Sequence, residues 1–127
     1  LARLRAALRT QGSSKPLAYA YAELLLDQAQ AEAARTFLVE RRRLWPEDAR
    51  LFGLLARAQH SLGHRAEGHW AMAEAHLLND SLAAAREQLE LARRAGDGDF
   101  YTQSVIDARL RLVREREQLD GGRGKSP

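Results

Sequence analysis

Apolar residues recur along the chain at three- and four-residue intervals, the spacing of one helix face, and small breakers cut that pattern into short pieces. Leu1, Leu4 and Leu8 mark a first amphipathic stretch over 1–9, the end of a preceding helix that closes by residue 14. Gly12-Ser13-Ser14-Lys15-Pro16 ends it, and Pro16 suits the first turn of a new helix, where a missing N–H costs nothing. The pattern predicts helices over 17–29 and 31–44, stopped by Pro46, then 49–61 behind the capping residue Asp48 and closed by Gly63. Helices over 66–78 and 82–95 follow, separated by Asn79-Asp80-Ser81. Gly96-Asp97-Gly98-Asp99 is the clearest loop, Asp99 caps a last helix over 100–119, and residues 120–127 read as a disordered tail.

A shift of 34 residues superimposes this pattern on itself. It pairs Ala18 with Phe52, Tyr21 with Leu55, Ala22 with Ala56, Ala29 with Gly63, Ala34 with Gly68 and Leu38 with Met72. A helix–turn–helix unit at that interval is the period of a tetratricopeptide array. The motif follows the family's order: Ala18, Tyr21, Ala22 and Leu25, then Ala34, Leu38 and Pro46; in the second unit Phe52, Leu55, Ala56 and Gln59, then Gly68 and Met72. Ala22 and Ala56 are small where a paired helix crosses, and Tyr21, Leu38, Leu55 and Met72 fill the space beside them. Gln59 departs from the pattern, standing where a large aromatic is usual, so that spot is either packed differently or exposed. Ala85, Leu89 and Ala92 look like a further second-helix signature, so the helix over 66–78 closes one hairpin and opens the next. The reading is an all-α tetratricopeptide-type solenoid spanning 1–119, with hairpins over 17–46 and 49–80, an overlapping third over 66–95, and a capping helix over 100–119. That cap is expected to bury Phe100, Val105, Ile106, Leu110 and Val113, with Phe100 and Tyr101 anchored on 82–95.

Composition agrees with helices throughout. Among 127 residues there are 23 Ala and 21 Leu against 3 Val, 1 Ile and 3 Thr, a ratio that opposes strands. The length supports one domain with a single core. A formal net charge of +3, with 20 basic and 17 acidic residues interspersed, describes a mixed helical surface rather than a phosphate-binding face, so no nucleic-acid partner is expected. There is no cysteine, which excludes disulfides, thiolate nucleophiles and sulfur-ligated zinc. No apolar run approaches a membrane span. The chain starts at Leu1 within a helical pattern and without an initiator Met, and is read as part of a longer protein.

Catalytic chemistry finds little purchase. His60, His64, His69 and His76 lie close in sequence, but no His-Glu-x-x-His and no third ligand at a metal spacing accompanies them; they read as surface or groove residues. No paired carboxylates, Ser-His-Asp set or phosphate loop stands out, and neither a catalytic residue nor a cofactor is expected in this chain. Arg41-Arg42-Arg43 covers about 200° of helix and forms no single basic stripe. Trp45 reads as packing in the inter-unit turn; Trp70 fits either core or a groove-lining anchor. The first helix of each hairpin normally lines the inner face of such a solenoid. Its exposed positions make Tyr19, Glu23, Arg50, Arg57 and His60, with Trp70, the candidate peptide-binding groove: Arg50 and Arg57 to hold carboxylate or carbonyl groups, Tyr19 as an aromatic platform.

Residues 98–111, Gly-Asp-Phe-Tyr-Thr-Gln-Ser-Val-Ile-Asp-Ala-Arg-Leu-Arg, resemble the end of one particular tetratricopeptide domain, the C-terminal domain of bacterial periplasmic zinc metallopeptidases of the β-barrel assembly-enhancing protease type. Leu62-Gly63-His64-Arg65-Ala66-Glu67-Gly68-His69 is similar to that family's leucine-glycine turn, with Gly68 in place of Ala. The likeness covers roughly 17–119. It implies a non-catalytic arm that recognises substrates or partners for a zinc enzyme in the periplasm, contacting outer-membrane β-barrel assembly components, their substrates and its own protease domain. The zinc and the catalytic motif belong to that other domain. A scaffold with no enzyme attached, or a self-association module whose last helix docks on a neighbour's groove, are the alternatives.

Overall fold

The structure, a computed structural model, describes residues 1–124; the last three residues of the expected tail, 125–127, lie outside the described residues. Those residues form seven helices and no strand: α1 (Ala2–Thr10), α2 (Lys15–Asp27), α3 (Ala31–Arg41), α4 (Ala49–Ser61), α5 (Arg65–Leu78), α6 (Leu82–Ala95) and α7 (Phe100–Gly124). Each packs on the next in chain order, with additional contacts α2 to α4 and α5 to α7. The chain is therefore an all-α, solenoid-like array of antiparallel helices.

Local signals account for most boundaries. Ser14 Oγ accepts the Leu17 N–H and Pro16 sits in the first turn of α2; Asp48 Oδ1 accepts the Arg50 N–H at 3.0 Å to open α4. After α4 and α6 the chain reverses through Gly63 and Gly96 at φ +79° and +72°, the left-handed conformation in which a Cβ is strained. Ala29 after α2 and Asp80 after α5 adopt the same conformation, at φ 60° and 57°, without a glycine.

One cap is supplied from a distance. His64 opens α5 without a side-chain cap; instead Asp97, in the loop after α6, accepts the N–H groups of Arg65 and Ala66 at 2.7 and 2.8 Å. Desolvation raises the Asp97 carboxyl, but those backbone donors outweigh it and hold the group below its ordinary value. The loop that separates α6 from α7 thereby closes the end of α5.

The small-residue crossings are where the 34-residue register put them. Ala22 and Ala56 are wholly buried in one cluster with Leu38, Leu51, Phe52 and Leu55, with Met72 partly buried against it; Ala34, also wholly buried, packs with Leu25 and Ala58, and Tyr21 lies against that second cluster. Gln59 is buried and its Oε1 lies 2.7 Å from His64 Nδ1, so its place is repacked with a polar contact rather than exposed. Gly68 also has a reason: a Cβ there would fall 2.6 Å from the His60 ring, which occupies the space an alanine needs. Helix starts at Lys15, Ala49 and Leu82, and at Ala31, Arg65 and Phe100, set α6 in the register of α2 and α4. Ala85, Leu89 and Ala92 are accordingly first-helix positions, buried against α5 on one side and α7 on the other.

The last helix departs from expectation at both ends. Ile106, Leu110 and Val113 are fully buried with Leu77 and Leu89, but Phe100 is 88% and Tyr101 75% exposed. The phase of the helix decides this: Phe100 lies six residues before Ile106, about 240° around the axis, and cannot face the core that Ile106 faces. At the other end α7 runs on through Gly124, so residues 120–124, expected in the tail, are helical. Glycine costs only about 1 kcal/mol per helical position, and an established helix gains a hydrogen bond with each residue added.

Candidate functional site

The six expected groove residues fall on different faces. Glu23, Arg50 and Arg57 come together on the α2–α4 face, around a shallow cavity of about 240 Å³ over Gly53 and Leu54. Its arginines are already engaged: Arg50 pairs with Glu23, and Arg57 lies 3.7 Å from Asp27. Carboxylates of α2 thus occupy the sites expected to hold an incoming one.

Tyr19 is no platform. It is buried, its ring meets Trp45 edge-on at 5.7 Å, and its hydroxyl donates to Asp48 Oδ2 at 2.6 Å. Burial pushes the phenol well above its ordinary range, and the Asp48 carboxylate adds to the shift. Lys15 reaches the same oxygen at 3.1 Å, so Asp48 ties the start of α2 to the start of α4. Desolvation raises the Asp48 carboxyl, but the hydrogen bonds from Tyr19, Lys15 and the Arg50 backbone leave it below its usual value.

The histidines form no common cluster: His60 and His64 are exposed, His69 and His76 half-buried. His60 meets His69 edge-to-face at 4.9 Å, and His69 Nδ1 sits 2.9 Å from Gln88 Oε1 on α6. Desolvation, then the neighbouring His69, lower the His60 pKa. Among the described residues no three His, Cys, Asp or Glu side chains converge as a metal-holding group.

Trp70 lies elsewhere. The backbones of α3 and α5 do not pack on one another, and the gap between them is a groove floored by α4. Its upper part, about 270 Å³, has Leu55 and Gln59 below, Arg35 and Val39 of α3 on one wall, and Trp70 of α5 on the other; Tyr101 and Val105 of α7 extend the rim. A second cavity of about 440 Å³ continues past Phe52 towards Leu77, Glu74 and Arg109. Arg42, just beyond the last turn of α3, borders both. Its guanidinium lies 5.0 Å from the Trp70 ring centre and 5.4 Å from that of Phe52, while the two rings meet edge-on at 6.0 Å.

The charges along this groove are unequally satisfied. Arg35 pairs with Glu32, Glu67 lies 3.9 Å from His64, and Arg109 makes a two-pronged contact with buried Glu74 at 2.6 and 3.2 Å. Arg42 is exposed and, among the described residues, forms no ion pair. The arrangement offers a trough with apolar patches at Val39, Leu55 and Trp70 and, where its two parts meet, Arg42 without an ion pair; Glu47 and Arg116 line the lower part, also unpaired among the described residues.

Sequence reasoning singled out Trp70 and missed the rest of this groove. It looked to the first helix of each hairpin, whereas the walls come from α3, α5 and α7. Arg42 was visible only as one of three consecutive arginines; the signal was its position at the end of α3, where the side chain leaves the helix face and reaches across to aromatics of two other helices. No protein-family model matches the chain, and comparison with curated proteins returns no match.

Proposed function

We propose that this chain is a protein- or peptide-binding helical-repeat domain, the recognition arm of a periplasmic zinc metallopeptidase that serves outer-membrane protein assembly and quality control. The open groove between α3 and α5 carries the binding part of the reading: Leu55 in the floor, exposed Val39 on one wall and Trp70 on the facing one, and polar groups spaced between them. Such a trough suits a segment of chain laid along it better than a small molecule enclosed by it. The peptidase, periplasmic and tetratricopeptide parts rest on the resemblance of residues 62–69 and 98–111, and predict a His-Glu-x-x-His segment encoded in the same protein; a reading frame without one leaves a non-enzymatic scaffold. Self-association is the second reading, favoured by exposed Phe100 and Tyr101 at the start of α7.

A peptide array probed with the whole chain tests the binding function. Wild type should retain a subset of peptides; Val39→Glu, a surface change inside the groove, should lose them, and Glu23→Ala on the α2–α4 face should not. Retention unaffected by Val39→Glu, or no retention by wild type, contradicts the reading.

A further inference from the structure

We infer that the groove between α3 and α5 selects peptide segments in which an acidic residue stands beside a large apolar one, the carboxylate taken by Arg42 and the apolar side chain by the trough of Leu55, Val39 and Trp70. The inference rests on the groove being the binding site and adds what it selects for.

Arg42 supplies the charge. An exposed arginine is ordinarily a mobile, hydrated group whose ion pairs are worth little, because ordering the side chain offsets most of the Coulomb gain. Arg42 differs in being held: two aromatic rings, Trp70 at 5.0 Å and Phe52 at 5.4 Å, fix the guanidinium across the gap. A guanidinium held against ring faces by cation–π attraction uses none of its N–H donors in hydrogen bonds to them, and those donors suit a carboxylate, which accepts with both oxygens. The ordering cost has been met within the folded chain, so a ligand carboxylate gains more here than at a free surface arginine.

The neighbours leave that cation uncompensated. Glu67 lies towards the far end of the wall, beside His64 and Arg35, and Arg35 is paired with Glu32. In the lower cavity Glu74 is engaged by Arg109, while exposed Glu47 and Arg116 line the same cavity as Arg42 without an ion pair among the described residues. Neutral peptides leave Arg42 as it is, and Glu47, which shares the lower cavity, stands at no ion-pair distance from Arg42 and so does not take the place of a ligand carboxylate. An acidic residue pairs with it, and the adjoining trough of about 270 Å³ lies next to Arg42, so the apolar side chain belongs to a neighbouring residue. The opposite assignment, with acid at Arg50 and Arg57, is disfavoured because Glu23 and Asp27 already stand there.

The test uses the whole chain and short blocked peptides on a Gly-Ser background, containing Glu-Phe or Glu-Gly-Phe, against copies with Gln for Glu. Fluorescence anisotropy should show the Glu peptides binding about tenfold more tightly, a preference that shrinks as salt is raised. Arg42→Gln should bind both sets alike; Arg42→Lys, which keeps the charge without the planar fork, should retain part of the preference. Thermal melts of both variants check that they fold. Equal binding of Glu and Gln peptides by wild type, with both lost in Val39→Glu, overturns the acidic preference and leaves the groove as the binding site. Binding of neither set overturns both. A concentration-dependent dimer abolished by Phe100→Ser, with no peptide bound, names a second copy as occupant and likewise overturns the inference.

Discussion

Ala29 shows how far single positions follow from the repeat. It aligns with Gly63, and the structure gives both residues the left-handed backbone that ends a first helix, at φ 60° and 79°. The left-handed conformation costs a residue with a Cβ about 1–2 kcal/mol, whereas glycine adopts it freely but loses more entropy on folding. The Ala29 side chain is exposed. Ala29→Gly should therefore stabilise the chain by about 0.5–1 kcal/mol, read as a rise of a few degrees in melting temperature. A lower melting temperature would mean that the Cβ does something the backbone geometry does not reveal. Asp97 makes the complementary point: nothing in Gly96-Asp97-Gly98-Asp99 discloses that its carboxylate caps a helix that begins at Arg65, because caps between distant segments leave no local pattern.

Helices were the most legible elements. Seven amphipathic stretches, their breakers and the buried alanines at Ala22 and Ala56 follow from spacing and residue size alone, since close helix crossings tolerate nothing larger. What spacing could not give was the phase of α7, where two apolar sets compete: Phe100 and Tyr101 at the start, and Ile106, Leu110 and Val113 in the middle. The middle set wins because it faces Leu77 and Leu89 at once, while Arg109 to Glu74 and Arg86 to Glu117 fix the helix from its sides. Burying those three side chains contributes about 1.5–3 kcal/mol each, a large share of the roughly 5–15 kcal/mol that holds a domain together. A chain ending at Gly98 should unfold with lost cooperativity in a thermal scan and associate in sedimentation through the uncovered Leu77–Leu89 face. A monomer that melts as sharply as the whole chain would show that α7 is not a cap but an arm docked at little gain.

At the scale of the whole molecule the two faces differ in what they have left to offer. The α2–α4 face looked the better site in sequence because its exposed residues are charged and aromatic, but the fold pairs Glu23 with Arg50, sets Arg57 beside Asp27 and withdraws Tyr19 behind Asp48. Their complementarity is internal, and only three-dimensional proximity exposes it. The α3–α5 groove draws Arg42, Trp70, Leu55 and Tyr101 from separate segments that no interval in the chain connects, and Arg42 keeps no ion-pair partner among the described residues. The chain has only two tryptophans, one for each region: Trp45 packs on Tyr19 near the start of α2, and Trp70 lines the groove. Their indole N–H resonances in a nitrogen-15 correlation spectrum therefore separate the faces directly. On titration with the Glu-Phe peptide, the Trp70 signal should move with ligand concentration while that of Trp45 stays in place. Movement of Trp45 alone, with Trp70 unchanged at saturation, would contradict the assignment of the groove between α3 and α5 as the binding site.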